Sequence, residues 1–188
     1  MSDLLNAEEV YLRYITEYNE KDLEQLLLAY RDGLFLFLLG FVKGEEDAED
    51  LLMDTFARLA VDKPDFDPNR GGSFKGWLYA IARNNALMHI RRGKMKTVPL
   101  EEELLSDEDT PESAYLKDER NIKLYKAMST LKPQYRRALT LLYIEGLKHE
   151  EIAQAMGVRI KQVYNLIDRG KKSLKTTLEG MGIYDAKY

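Results

Sequence analysis

Two stretches of this 188-residue chain carry side chains suited to gripping a polyanion, and neither carries the parts of a reaction centre. Between Arg70 and Lys96 stand seven cations (Arg70, Lys75, Arg83, Arg91, Arg92, Lys94, Lys96) and no carboxylate. Cations in such density are what neutralising a phosphate backbone requires. The same stretch opens on a glycine-rich loop beside aromatic rings, from Phe66 through Asn69, Arg70, Gly71, Gly72 and Ser73 to Phe74, Lys75, Gly76 and Trp77. Cations to track a backbone, with rings or a loop pocket to receive unstacked bases, are the ingredients for holding a single strand. Trp77, Leu78 and Ile81 read as core, whereas Arg83, Asn84, Asn85, Arg91 and Arg92 read as contacts.

The second stretch, Arg159 to Lys175, sets six cations against the single Asp168. It follows Glu150-Glu151-Ile152-Ala153-Gln154-Ala155-Met156-Gly157-Val158, which has the spacing of a helix-turn-helix. Ile152 and Met156 face a core one turn apart, Ala153 lets the second helix approach, and Gly157 supplies the left-handed backbone of the turn. Val158, Val163 and Ile167 then anchor the second helix from inside. Arg159, Lys161, Gln162, Tyr164, Asn165, Asp168, Arg169 and Lys172 are left to point outward, with donors for phosphates and major-groove base edges.

Other chemistries find little support. The chain has no cysteine, which removes disulfides, thiolate metal sites and a cysteine nucleophile. His89 and His149 are isolated, Glu101 to Glu103 fall in a linker, and no phosphate-cradling glycine motif occurs. No metal, cofactor or enzyme activity is expected. The net charge of -4 conceals the basic stretches, because acid gathers in the first sixty residues and from Glu101 to Glu119. The acidic start is not a secretory signal, and Leu34 to Val42 is too short to span a bilayer. A cytoplasmic protein without membrane insertion is expected.

The elements that must position these residues read as all-α. Val10, Leu12, Tyr14, Ile15 and Tyr18 suit an amphipathic helix within residues 1–19. Asp22 is the expected cap of a second helix from Leu23 to Val42. Ala48, Leu51, Leu52, Thr55, Phe56 and Leu59 predict a third from Glu46 to Val61. Pro64 and Pro68 break regularity, and Ser73 caps a fourth helix from Phe74 to Arg92. Residues 96–111 read as a flexible acidic linker. Helical spacing returns near Ala114, pauses at Pro133, and ends at Gly146. A short helix from His149 to Met156 and a longer one from Ile160 to Leu178 follow. The domains expected are an N-terminal helical extension 1–21, a helical bundle 22–95, the linker 96–111, a helix-turn-helix domain 112–179 and a tail 180–188.

From Asp22 to Leu178 the sequence resembles the extracytoplasmic-function (ECF) sigma factors of the sigma-70 family. The resemblance rests on Asp47-Ala48-Glu49-Asp50-Leu51-Leu52-Met53-Asp54-Thr55-Phe56, on Phe74 to Asn84, and on Glu145-Gly146-Leu147 leading into the helix-turn-helix. It implies a sigma-two domain, a sigma-four domain and a partnership with RNA polymerase core. Asp47, Asp50, Leu51, Asp54 and Phe56 would dock on the beta-prime clamp helices, with sigma-four near the beta flap. The loop from Asp67 to Ser73, with Lys75, Arg83, Asn84, Asn85, Arg91 and Arg92, would hold the melted minus-10 element of promoter DNA. The second helix of the helix-turn-helix would read the minus-35 element. An inhibitory anti-sigma factor is expected by the same analogy. Departures from the family pattern are Met53 for Gln, Ala80 for Arg, Arg159 for Ser, Tyr164 for a basic residue, Leu166 for Arg and Gly170 for Ala. Two other functions fit the residues: a stand-alone helix-turn-helix regulator, and a sigma mimic that titrates an anti-sigma factor.

Overall fold

A computed structural model describes residues 6–67, 69, 72–94, 124 and 126–182. Among these, every regular element is helical: α1 (Ala7–Glu17), α2 (Glu20–Leu38), α3 (Glu45–Val61), α4 (Phe74–Lys94), α5 (Pro133–Leu139), a π-helical turn (Thr140–Ile144), α6 (His149–Met156) and α7 (Ile160–Gly180). The expected linker 96–111, together with Arg70, Gly71 and residues 183–188, lies outside the described residues.

Helix α1 starts at Asn6, whose side chain accepts from the Glu9 amide, and Glu8 and Glu9 favour the positive end of its dipole. Its buried stripe is Ala7, Val10, Tyr11 and Tyr14. Tyr11 is wholly buried, donates to the Pro64 carbonyl at 2.7 Å, and sets its ring 5.3 Å from Phe74 and 5.2 Å from Trp77. This extension thus closes the aromatic core at the start of α4. Tyr18, expected on the same face, is the exposed left-handed cap instead, with the Lys63 amine 3.4 Å over its ring.

Helix α2 is capped by Asn19 and not by Asp22: the Asn19 side chain accepts from the Lys21 amide at 3.2 Å. Asp22 lies buried in the first turn and pairs with Arg13 of α1, which donates from Nε to Oδ2 at 2.8 Å. The helix also stops four residues short of Val42. Tighter bonds from Gly40 to the Phe37 carbonyl and from Phe41 to the Leu38 carbonyl end it. Helix α3 buries Ala48, Leu51, Leu52, Thr55, Phe56 and Leu59, the stripe its spacing predicts. Ser73 caps α4 as expected, accepting from the Gly76 amide at 3.1 Å.

In the second body Pro133 occupies the first turn of α5, where its missing amide is no loss. The next five residues widen into the π turn, with Glu145 donating to the Thr140 carbonyl at 3.1 Å. A spacing of three and four does not reveal that widening. Gly157 then turns left-handed at φ 62°, and the Val158 amide returns to the Ala153 carbonyl. Val163, Ile167, Leu174 and Leu178 bury one face of α7. Gly170 is explained by close packing, since a Cβ there would stand 3.2 Å from Leu139.

The two bodies pack together, with α4 on α6 and the π turn against α2. Arg136 and Arg137 donate to the carbonyls of Leu39 and Gly40 at 3.4 and 2.6 Å. Cations thereby answer the open carbonyls after α2. The Arg137 guanidinium lies 4.1 Å over the Phe41 ring, and its burial lowers its pKa to about 10.

The Arg13 hydrogen bond holds the Asp22 carboxyl below its ordinary range. Its stabilisation is therefore present above the unfolded carboxylate pKa and lost as pH falls through the folded one. Asp22→Asn is expected to lower the melting temperature at neutral pH, with the gap to the parent closing in acid. Thermal melts followed by circular dichroism across pH 3 to 7 check this.

Candidate nucleic-acid interface

Helix α4 has two unlike faces. Phe74, Leu78, Tyr79, Ala82 and Ala86 are buried, and this stripe fixes which side chains remain outside. Trp77 is half-buried among Tyr11, Phe66 and Phe74, with ring centroids 5.2 to 5.4 Å away. It is core, as its type and spacing suggest. Asn84, Arg91 and Arg92 are exposed. Arg83 donates from Nη2 to Asn84 Oδ1 at 2.9 Å, so these two side chains act as one polar unit.

Asn85 is placed differently from expectation. It is 7% exposed, accepts from Arg58 Nη1 at 3.0 Å and donates to Thr55 Oγ1 at 3.3 Å. The position after an exposed Asn84 rotates inward by 100°, so adjacent amides cannot share a face. Asn85 ties α4 to α3 through these two bonds.

Before α4, Asp67 accepts from the Asn69 amide at 2.9 Å and from its side chain at 3.2 Å, an Asx turn that shapes the loop. Gly72 follows at φ 104°, exposed, and Ser73 is half-buried by its capping role. Lys75 points across to the second body, donating to the Glu145 carbonyl at 2.8 Å with the Glu145 carboxylate at 3.3 Å. That partner was not legible in the sequence.

On α3, Asp47, Asp50 and Asp54 are exposed at spacings of three and four and share one face. Met53, 56% exposed, adds apolar surface beside them. Leu51 and Phe56, expected to dock on a partner, are 1% and 4% exposed. They belong to the packing stripe and hold the acidic face in place. Between α3 and α4 runs a cleft of about 320 Å³ lined by Asp54, Arg58, Asp62, Asn85, Met88, His89 and Arg92. Neither helix alone announces it.

On α7 the structure leaves Arg159, Lys161, Gln162, Tyr164, Asn165, Asp168, Arg169 and Lys172 exposed. Their neighbours refine the picture. Gln162 Oε1 accepts from the Arg159 amide at 2.9 Å; Arg159, lacking an acceptor, cannot return the bond as a serine would. Lys172 pairs with Asp168 at 2.9 Å. The His149 ring stacks on Tyr164 at 4.5 Å and 19°, which fixes the aromatic that stands at this departure from the family pattern.

Two family models match in chain order: Sigma-70 region 2 over residues 26–95, and Sigma-70, region 4 over residues 121–174. The ECF RNA polymerase sigma factor SigE of Mycolicibacterium smegmatis is 31% identical over 159 residues, covering 82% of this chain and 61% of SigE. SigM of Bacillus subtilis is 28% identical over 165 residues, covering 87% of this chain and 98% of SigM. The chain belongs to the ECF sigma factors of the sigma-70 family. Among solved structures, the sigma factor RpoE of Bartonella quintana, in complex with the anti-sigma factor NepR, superposes with a TM-score of 0.66. It is 23% identical, with 85% of this chain and 98% of that one covered, a likeness of fold. The sigma factor family is not an enzyme family. Among the described residues no cluster of three or more His, Asp or Glu is placed to hold a metal, and no helix is long and apolar enough to cross a membrane.

Asn85→Ala leaves the Arg58 guanidinium and the Thr55 hydroxyl without this partner. A stability loss of about 1–3 kcal/mol is expected, read by urea denaturation. The Asn85→Ala chain is further expected to keep the parent's affinity for single-stranded DNA once folded.

Proposed function

We propose that this ECF sigma factor binds RNA polymerase core and directs promoter recognition, melting and transcription initiation, as the family and its relatives' names support. The carrying observation is geometric: one chain presents an acidic helix face on α3, a cationic helix and loop at α4, and a polar recognition helix α7. Asp47, Asp50 and Asp54, with Met53 between them, are the surface offered to the beta-prime clamp helices. Asn69, Gly72, Ser73, Lys75, Arg83 and Asn84 are the residues offered to the melted minus-10 strand, with Arg91 and Arg92 for its phosphates. Arg70 and Gly71 belong to the same proposal by sequence alone.

The α7 face reads the minus-35 duplex. Arg169 and Lys172 suit phosphate oxygens, while Tyr164, Asn165 and Gln162 suit base edges. Joined sites act as one stronger site when both are engaged, so binding energy, with no bond made or broken by the chain, drives strand opening. The second domain meets the beta flap, and the protein works in the cytoplasm. An anti-sigma factor is proposed as its inhibitor, since the structurally similar RpoE is held by one.

Gel filtration with purified core polymerase tests the first step. The parent chain is expected to co-elute with core. Asp47→Lys with Asp50→Lys, both exposed, is expected to weaken association at least about tenfold with helix content unchanged. A parent chain that elutes alone while binding duplex DNA tightly would instead mark a stand-alone regulator. On the minus-35 side, Arg169→Ala is expected to weaken duplex binding across sequences and to reduce the salt slope by about 1. Tyr164→Ala is expected to change which sequences are preferred, as selection from a randomised duplex pool would read.

A further inference from the structure

Several side chains on the recognition face of α7 are already engaged within the protein. Gln162 Oε1 accepts from the Arg159 amide, which leaves the Gln162 amide hydrogens for an outside acceptor. Lys172 is paired with Asp168 one turn away. Tyr164 is the large aromatic on this face, 53% exposed. What touches its ring comes from the other helix of the motif: the His149 imidazole lies 4.5 Å away, with 19° between the planes.

The stack follows from how the two helices are fixed. The Lys148 amide donates to Glu151 Oε2 at 2.7 Å, which sets the start of α6 and makes His149 its first residue. Ile152, three residues on and so on the same side of the helix, is wholly buried. His149 therefore stands at the end of the seam between α6 and α7. Gly157, at φ 62°, and the Val158 amide's bond to the Ala153 carbonyl at 3.1 Å set the angle at which α7 returns. Val163 is wholly buried and fixes the rotation of α7. Its neighbour Tyr164 lies about 100° further round, at the rim of the same seam. Both rings thus hang on backbone that core packing holds in place.

That contact changes what a tyrosine on a helix surface can do. An unsupported exposed ring moves among staggered wells, and ordering it against a base costs side-chain entropy. A ring already held from one face is ordered before the duplex arrives, and such preorganisation strengthens binding without any new contact.

We propose that His149 is a positioning residue for minus-35 recognition: it holds the Tyr164 ring in one orientation, so the sequence preference carried by Tyr164 depends on a residue of the other helix. The proposal rests on the reading of α7 as the helix that meets the duplex. It assigns the flat ring of His149 and not its charge. His149 looks isolated in sequence because its partner stands beyond the turn, on the next helix.

Core polymerase loaded with the full chain, offered promoter fragments randomised over the minus-35 segment, tests this when the bound fraction is sequenced. Variants are compared at equal helix content. Tyr164→Ala is expected to erase the preference at a subset of base pairs. His149→Ala is expected to weaken the preference at that same subset about twofold to tenfold, with the other positions at parent values. His149→Phe, which keeps a stacking ring without the imidazole, is expected to restore the parent profile. In a Tyr164→Ala background, His149→Ala is expected to alter the profile no further. A His149→Ala profile identical to the parent's overturns the proposal, as does affinity lowered evenly across all sequences or a His149→Phe that behaves like His149→Ala. A parent chain that joins core polymerase yet selects no base in the randomised segment overturns the minus-35 reading itself.

Discussion

The buried stripe of α4 is the constraint on which the other features depend. Phe74, Leu78, Tyr79, Ala82 and Ala86 must face inward to complete the first body's core, and α1 closes that core through Tyr11. Once they do, helical geometry leaves Lys75, Arg83, Asn84, Arg91 and Arg92 outside. The same burial fixes α3 through Asn85 and Thr55, and so sets where its acidic face points. Core packing and function are therefore not separable on this helix. Lys75 and Arg83 are each placed by inward neighbours one and three residues away, Phe74 and Leu78 for the first and Ala82 and Ala86 for the second.

Much of this was legible from spacing. The α3 stripe, the Ser73 cap, the Gly146 stop and the Gly157 turn follow from local rules that tertiary contacts did not override. The residues that escaped did so for identifiable reasons. Asp22 has the chemistry of a cap, but a cation nine residues earlier on α1 competes for it, and Asn19 serves instead. Asn84 and Asn85 are chemically alike, so composition could not say which one the helix would turn inward. Leu51 and Phe56 sit within an acidic block that reads as a docking patch, yet apolar burial claimed them first. The π turn after α5 left no trace in a three-and-four pattern.

Least legible of all was the meeting of the two bodies. Glu145, Gln154 and Arg137 look like ordinary exposed polar residues in sequence. Their partners lie on α2 and α4 or beside them, on the far side of the segment 95–123. The glycines at 33, 72, 76 and 157 each have a plausible local reading as a helix guest or a turn. Only the assembled structure shows that each receives a side chain of the opposite body. Polar contacts between bodies with buried unpaired atoms hold more weakly than a sealed apolar core.

The central claim is that this chain gives core polymerase its choice of start site. Mapping transcript 5′ ends made on genomic DNA by core polymerase, with and without the purified chain, tests it most directly. Discrete start sites that appear only with the chain present, sharing sequence signals upstream, are the expected result. Identical end distributions in the two reactions, with the chain shown to be folded, would contradict it.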